Sequence, residues 1–197
     1  MSVLVFADSS NGHLVKSAFE AVAYGKNIAD KKGTTVTVVT YGDSSDLNEL
    51  GNYGATKVLV NKNITCDDSQ QLSKLVCKAV EDEGSEIIIF SHDVNGKAIA
   101  PRVSARLDAG LVTGAVELPE MNGSFVVKKA VFSGKAFAHT SINTDKKIIS
   151  LLPNSIRPQA VGGTAEIVDY NVEVGEGRIT VKEIKGPNEG EISLPDA

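Results

Sequence analysis

The chain has no tryptophan, only two cysteines and three histidines, and aromatic residues fill 5% of its 197 positions. Each shortage excludes something. Cys66 and Cys77 are too few for a disulfide framework or a four-thiolate metal centre. His13, His92 and His139 stand far apart, with no HExxH and no second His or Cys at i+3 or i+4. A metal site would need ligands converging from distant segments, and none is expected. No apolar run approaches the roughly 18–20 residues that cross a bilayer, so membrane insertion is not expected either. The opening, Met1-Ser2-Val3-Leu4-Val5-Phe6, has no basic stretch and soon meets Asp8, unlike a signal peptide. A reducing cytoplasm is the simplest expected compartment.

Basic charge is also scarce where it would count. The net charge is −5; residues 1–163 carry 17 acidic and 17 basic side chains, and residues 164–197 carry 8 and 3. The body is balanced and the last segment acidic, which argues against nucleic acid as a partner. What is present is ordinary core material: 42% hydrophobic and 23% charged residues, enough for one folded domain.

The first 118 residues alternate apolar runs with helical patterns. Residues 3–6, 35–41 (TVTVVTY), 58–60 and 87–90 (IIIF) read as strands. The last is continuously apolar, as a strand buried on both faces should be. Leu14, Ala18, Ala21, Val22, Ile28 and Ala29 share one helical face, with Gly33 as a stop. Leu72, Leu75, Val76, Ala79 and Val80 form another, capped by Asp68 or Ser69 and ended by Gly84. This order predicts a three-layer, doubly wound, mostly parallel α/β sheet of Rossmann-like type, with loops 7–13, 41–46 and 91–97 at its carboxyl edge. After residue 118 the pattern changes. Residues 125–131, 135–142 and 146–152 read as an antiparallel meander broken at Ser133-Gly134 and at 143–145; 154–163 reads as loop; 165–174 and 179–184 read as strands.

Few motifs carry chemistry. Residues 7–13 (ADSSNGH) follow a strand and open a helix, where backbone N–H groups can hold phosphate. There is no GxGxxG or GxxxxGK[ST], and helix capping alone explains Asp8, Ser10 and Asn11. Ser91-His92-Asp93 has the letters of a triad, but neighbours on one turn cannot form that spatial relay. Cys77 falls near an apolar helix stripe and should be packed. In the densest segment, Pro101 suits a first helical turn, Gly110 a left-handed C-cap, and Arg102 and Arg106 share a helix face. Those two arginines fit either an acidic partner or a solvated, salt-bridged surface near Asp108.

Residues 96–114, GKAIAPRVSARLDAGLVTG, resemble the G-(K/R)-x-L-A-P-R-x-A-A-R-L-D-A-G-L-x-T stretch of electron transfer flavoprotein alpha subunits. The opening Val3-Leu4-Val5-Phe6-Ala7-Asp8, the segment Val131-Phe132-Ser133-Gly134-Lys135-Ala136 and the stretch at 149–160 are similar to the same family. Ser133-Gly134-Lys135-Ala136 departs from the common Ala-Gly-Asn-Ala. The likeness runs from residue 1 to about residue 190.

The resemblance implies an N-terminal α/β domain, related to the adenine nucleotide alpha hydrolase type, over residues 1–185. Residues 186–197 would be a linker toward a FAD-binding domain whose motifs are missing from this sequence. It implies a scaffold in a heterodimer with a beta subunit, carrying electrons from acyl-CoA or other dehydrogenases, as in fatty acid beta-oxidation, to a quinone reductase or related acceptor. FAD would belong to the complete heterodimer and not to this chain alone, and AMP to the beta subunit. No catalytic residue is implied. Gly96, Pro101, Arg102, Arg106, Gly110 and Gly134 are the candidate interface or structural positions. The alternative is a stand-alone adenine-nucleotide-binding module using residues 7–13.

Overall fold

The β-branched run at the amino terminus forms β1 (Ser2–Phe6) in a computed structural model that describes residues 2–10 and 12–183. A two-stranded ribbon, β2 (Ser9–Ser10) and β3 (His13–Leu14), leads into α1 (Lys16–Lys32). Strands and helices then alternate: β4 (Thr35–Tyr41), the short α2 (Glu49–Asn52), β5 (Lys57–Asn61), α3 (Ser69–Glu83), β6 (Ile87–Ser91), α4 (Val94–Leu107) and β7 (Gly110–Ala115). Four strands follow: β8 (Val126–Val131), β9 (Ala136–Ser141), β10 (Lys147–Leu151) and β11 (Glu166–Asp169).

The punctuation of α1 and α3 is local chemistry. Gly33 (φ 65°) and Gly84 (φ 59°) end them in the left-handed conformation that glycine adopts without steric cost. Asp68 caps α3 by accepting from the Gln70 N–H at 2.8 Å. The start of α1 differs from expectation. The ribbon delays the helix, its N-cap is Val15, and no side chain caps it. The Asp8 carbonyl accepts from the Val15 N–H instead, and Asn11 lies outside the described residues.

The sheet has nine strands in the order β11-β5-β4-β1-β6-β10-β7-β8-β9. The first seven are parallel and β8 and β9 antiparallel. Alternate residues face opposite layers, as the period of two requires. Val3, Val5, Ile87 and Ile89 pack under α1 and α2, whereas Leu4, Phe6, Ile88 and Phe90 pack under α3 and α4. Each such apolar side chain, taken fully out of water, contributes about 1.5–3 kcal/mol. The fold is the mostly parallel α/β sandwich that the sequence predicts.

Two expectations are corrected. β8 and β9 do form a hairpin, in register from Val126↔Ser141 to Val131↔Ala136. The third segment of the expected meander, however, is β10, inserted parallel between β6 and β7. The cause is where β9 ends: the Ile142 N–H donates to the Phe125 carbonyl, and the Gly110 N–H to the Lys146 carbonyl. The connection thus delivers the chain beside the start of β7, and Ile148, Ile149 and Leu151 enter both core layers. The second correction concerns residues 179–183, which form no strand. β11 already pairs with the β5 edge. The following backbone is instead held by side chains, through Asn61 to the Val172 carbonyl, Lys74 to that of Val174 and Gln71 to that of Gly175. Ile184, the expected turn at 186–190 and the final residues lie outside the described residues. Among the described residues, no helix is long and apolar enough to cross a membrane.

Candidate functional site

Chain reversal places the carboxyl ends of β1, β4 and β6 together, because β4 and β6 flank β1 on opposite sides. Ligands of open α/β sheets bind at such a reversal. Here the position is filled by the protein's own polar side chains. Tyr41, at the end of β4, brings its hydroxyl 2.9 Å from Asp8 Oδ1 and 2.5 Å from Asp67 Oδ1. Asn95, in the first turn of α4, donates to Asp8 Oδ2 at 2.9 Å. Asp93, the N-cap of α4, accepts from the Gly96 N–H at 2.8 Å and from the Ser17 hydroxyl at 3.0 Å.

The electrostatics follow from this crowding. Burial raises the Asp8 carboxyl above the ordinary carboxylate range, and neighbouring Asp93 and Asp67 add to the rise, against the lowering from Asn95 and Tyr41. Burial, then Asp8 and Asp67, push the Tyr41 hydroxyl up as well. A phosphate would meet three carboxylates here. The described residues of loop 7–13 form the ribbon, whose base is tied down by the Asp46 carboxylate on the Leu14 N–H at 3.0 and 3.1 Å. These carboxylates disfavour a phosphate group at this position.

A second polar group lies along β6 and β10. His92 Nδ1 is 2.7 Å from the Ser150 hydroxyl, and burial followed by Lys97 and Lys129 lowers its pKa. Its partner is therefore Ser150 and not the adjacent Ser91 or Asp93. Cys77 is packed between α3 and α4 and burial raises its thiol. Among the described residues, no group of three or more His, Cys, Asp or Glu side chains could hold a metal.

The candidate positions separate into backbone and surface roles. Gly96 is fixed by contact: a Cβ there would lie 1.8 Å from the Ser91 carbonyl oxygen. Gly134 has φ 82° in the β8–β9 turn, with open space around it. Gly110 is not a C-cap. Asp108 takes the left-handed position (φ 49°), and Gly110 opens β7, where a Cβ would lie 2.6 Å from Ile142 and 2.7 Å from Thr144. Pro101 is not in a first turn, because Asp93 already caps the helix well upstream; it sits inside α4 on the exposed side. Arg102 and Arg106 are exposed and form no ion pair with a described residue, Asp108 included. Around them α4 exposes Val94, Lys97, Ala98, Pro101 and Ala105, and the helix has no acidic residue. Its outer face is therefore basic, with an apolar strip of short side chains.

Sequence reasoning missed the Asp8–Tyr41–Asp67–Asn95 cluster. The available signal was a tyrosine at the carboxyl end of a β-branched strand, close to a helix start rich in Asp and Asn.

A family model described as "Electron transfer flavoprotein domain" matches residues 3–174. The "Electron transfer flavoprotein subunit alpha" of Bacillus subtilis (strain 168) is 29% identical over 205 residues, covering 99% of this chain and 61% of the relative. "Protein FixB" of Clostridium saccharobutylicum is 28% identical over 141 residues, covering 69% and 42%. The "Acryloyl-CoA reductase electron transfer subunit beta" of Anaerotignum propionicum is 29% identical over 120 residues, covering 59% and 33%. The chain thus spans at most 61% of the length of these relatives.

Proposed function

Because the chain belongs to the electron transfer flavoprotein domain family, we propose that it is, over residues 1–185, the N-terminal scaffold and subunit-contact domain of an alpha-type subunit in a heterodimeric electron carrier. Its partner in this reading is a beta-type subunit. The full complex would take electrons from acyl-CoA or other dehydrogenases and pass them to a quinone reductase or related acceptor. The family supplies redox chemistry through FAD, which a flavoprotein carries in place of reactive side chains. The carboxylates of Asp8, Asp67 and Asp93 disfavour its pyrophosphate at the end of β1, and no electron-transfer step is assigned to this chain's residues. Their work is to hold a rigid surface. AMP is assigned to the beta subunit for the same reason. The nucleotide-module alternative meets the Asp8, Asp67 and Asp93 carboxylates where phosphate would have to sit.

One observation carries the docking role: α4 presents Lys97, Arg102 and Arg106 outward, with no acid on the helix and no ion pair to either arginine among the described residues. Such a face steers and orients an acidic partner surface. Reversing both arginines, Arg102→Glu with Arg106→Glu, is expected to raise the dissociation constant for the beta-type subunit at least tenfold while circular dichroism stays native-like. An unchanged constant removes α4 from the interface.

A further inference from the structure

The chain has three Asn-Gly pairs, Asn11-Gly12, Asn95-Gly96 and Asn122-Gly123. Glycine has no Cβ to shield its own nitrogen, so that nitrogen can approach the side-chain carbonyl of a preceding asparagine. Asn11 lies outside the described residues. The fold treats the other two pairs in opposite ways. Asn95 and Gly96 sit in the first turn of α4. The Gly96 N–H donates to Asp93 Oδ1 at 2.8 Å, and the Asn95 side chain donates to Asp8 Oδ2 at 2.9 Å. The glycine nitrogen and the amide it would attack are thus each tied to a different partner. Gly96 also packs against the Ser91 carbonyl oxygen, which would lie 1.8 Å from a Cβ, so this turn has no room to rearrange.

Asn122 and Gly123 are exposed in the loop between β7 and β8. The base of that loop is closed by two backbone hydrogen bonds, from the Glu120 N–H to the Val126 carbonyl and from the Val126 N–H to the Glu120 carbonyl, both at 2.9 Å. Beyond that closure the pair is untied. Neither the Gly123 N–H nor the Asn122 side chain bonds to a described residue. Gly123 has φ 86°, and a Cβ there would meet nothing within 4 Å. The loop borders a hollow lined by Lys31, Lys32 and Lys147, with Glu120 as its acid. A negative charge added at position 122 therefore enters positive surroundings.

We propose that Asn122 is a site of spontaneous deamidation, and that α4 protects Asn95 from the same reaction. The Gly123 nitrogen forms a bond to Asn122 Cγ and the Cγ–Nδ2 bond breaks. The side-chain amide leaves as ammonia, taking the proton that the glycine nitrogen gives up. Water then adds to one of the two carbonyls of the cyclic imide, and the C–N bond at that carbonyl breaks. Opening at Cγ leaves aspartate in a normal backbone. Opening at the main-chain carbonyl leaves isoaspartate, with the chain running through the side chain. Either product adds one carboxylate to a protein of net charge −5.

Ageing the whole chain at mildly alkaline pH, once native and once in concentrated guanidinium chloride, tests this by peptide mass spectrometry. Trypsin cleaves after Lys16, Lys78, Lys97, Arg106 and Lys128, which leaves the three pairs in separate peptides, 1–16, 79–97 and 107–128. Each conversion raises the mass of its peptide by about one dalton. In the native chain, peptide 107–128 is expected to convert at least tenfold faster than peptide 79–97. In denaturant the two should convert at comparable rates, because the protection of Asn95 belongs to the fold. Asn122→Gln, whose cyclisation needs a larger ring, should abolish the gain in 107–128 and keep native circular dichroism. Equal native rates for the two peptides overturn the proposal, as does an Asn95 that stays protected in denaturant. So does a gain in 107–128 that survives Asn122→Gln.

Discussion

A hydroxyl group has one proton, and Tyr41 has two carboxylates within its reach, at 2.9 and 2.5 Å. It can donate to only one of them, so Asp8 and Asp67 compete for the same hydrogen. Burial makes the competition worse for Asp8, whose carboxyl is raised above its ordinary value. The sign of the effect on stability follows. A carboxyl that holds its proton more tightly in the folded state than in the unfolded chain favours folding below about pH 4, the unfolded value, and that advantage is lost as the pH rises through the folded value. Asp8→Asn removes the ionisation. It is expected to unfold at a higher urea concentration than the wild type at pH 8, with the gap closing as the pH falls toward 4. Equal midpoints across that range would mean that Tyr41 and Asn95 fully compensate the buried charge. None of this was legible in the sequence. Asp8 reads there as a helix cap, because its real partners are 33 and 87 positions away and only the completed sheet brings them together. Gly33 and Gly84 were legible, since a left-handed stop depends on one residue and its own turn.

At the level of single elements, α4 shows how a sound local rule can misplace a boundary. Proline is favoured in the first turn of a helix, where its missing N–H is not needed. Asp93 outweighs that preference by capping the chain eight residues earlier with a side-chain hydrogen bond of 2.8 Å. Pro101 then lies within the helix and leaves the Lys97 carbonyl without its usual donor. Its exposure makes this tolerable, since water reaches that side of the helix. Pro101→Ala should restore the donor at the loss of some stiffness in the unfolded chain, for a net gain of about 1–2 kcal/mol by chemical denaturation. A loss of stability would show that the proline ring makes packing contacts on the outer face. β10 is a similar case. Its run Ile148-Ile149-Ser150-Leu151 is close to the IIIF of β6 in apolar character, broken only by Ser150, and so carries the sign of burial on both faces. The short turns around it favour a meander, but pairing with β6 and β7 on both sides outweighs that local signal.

Across the whole molecule, the segment after β10 works as a strap. It crosses from the middle of the sheet over α1 and α2, where the Asn154 N–H meets the buried Glu20 carboxylate at 2.7 Å and the Val161 N–H meets the Asn52 carbonyl at 2.8 Å. It then adds β11 to the sheet and reaches α3, where the Arg178 N–H donates to Asp68 at 2.8 Å. Gly51 is the tightest crossing, since a Cβ there would lie 2.6–2.8 Å from the Thr164 and Ala165 backbone. Gly51→Ala is therefore expected to cost about 1–3 kcal/mol. Hydrogen exchange should speed up first at the Val161 and Glu166 amides, which the strap donates to Asn52 and Thr56, while β1 stays protected. Uniform loss of protection would mean that the strap and the sheet open as one unit. The strap was only partly legible: the alternation of Val168, Tyr170, Val172 and Val174 gave its inward face, but nothing local told which edge it would join.

The late placement of β10 has a consequence in time. A ribosome delivers β6 and β7 long before residues 147–151 emerge, yet those two strands do not touch each other in the finished sheet. Until β10 slides between them, each holds an open edge beside a gap one strand wide. The nascent domain can close its first half around β1, but the second half must wait with its slot empty. Folding should thus proceed in two stages, with the docking of one central strand, formed from contacts distant in sequence, setting the slower rate.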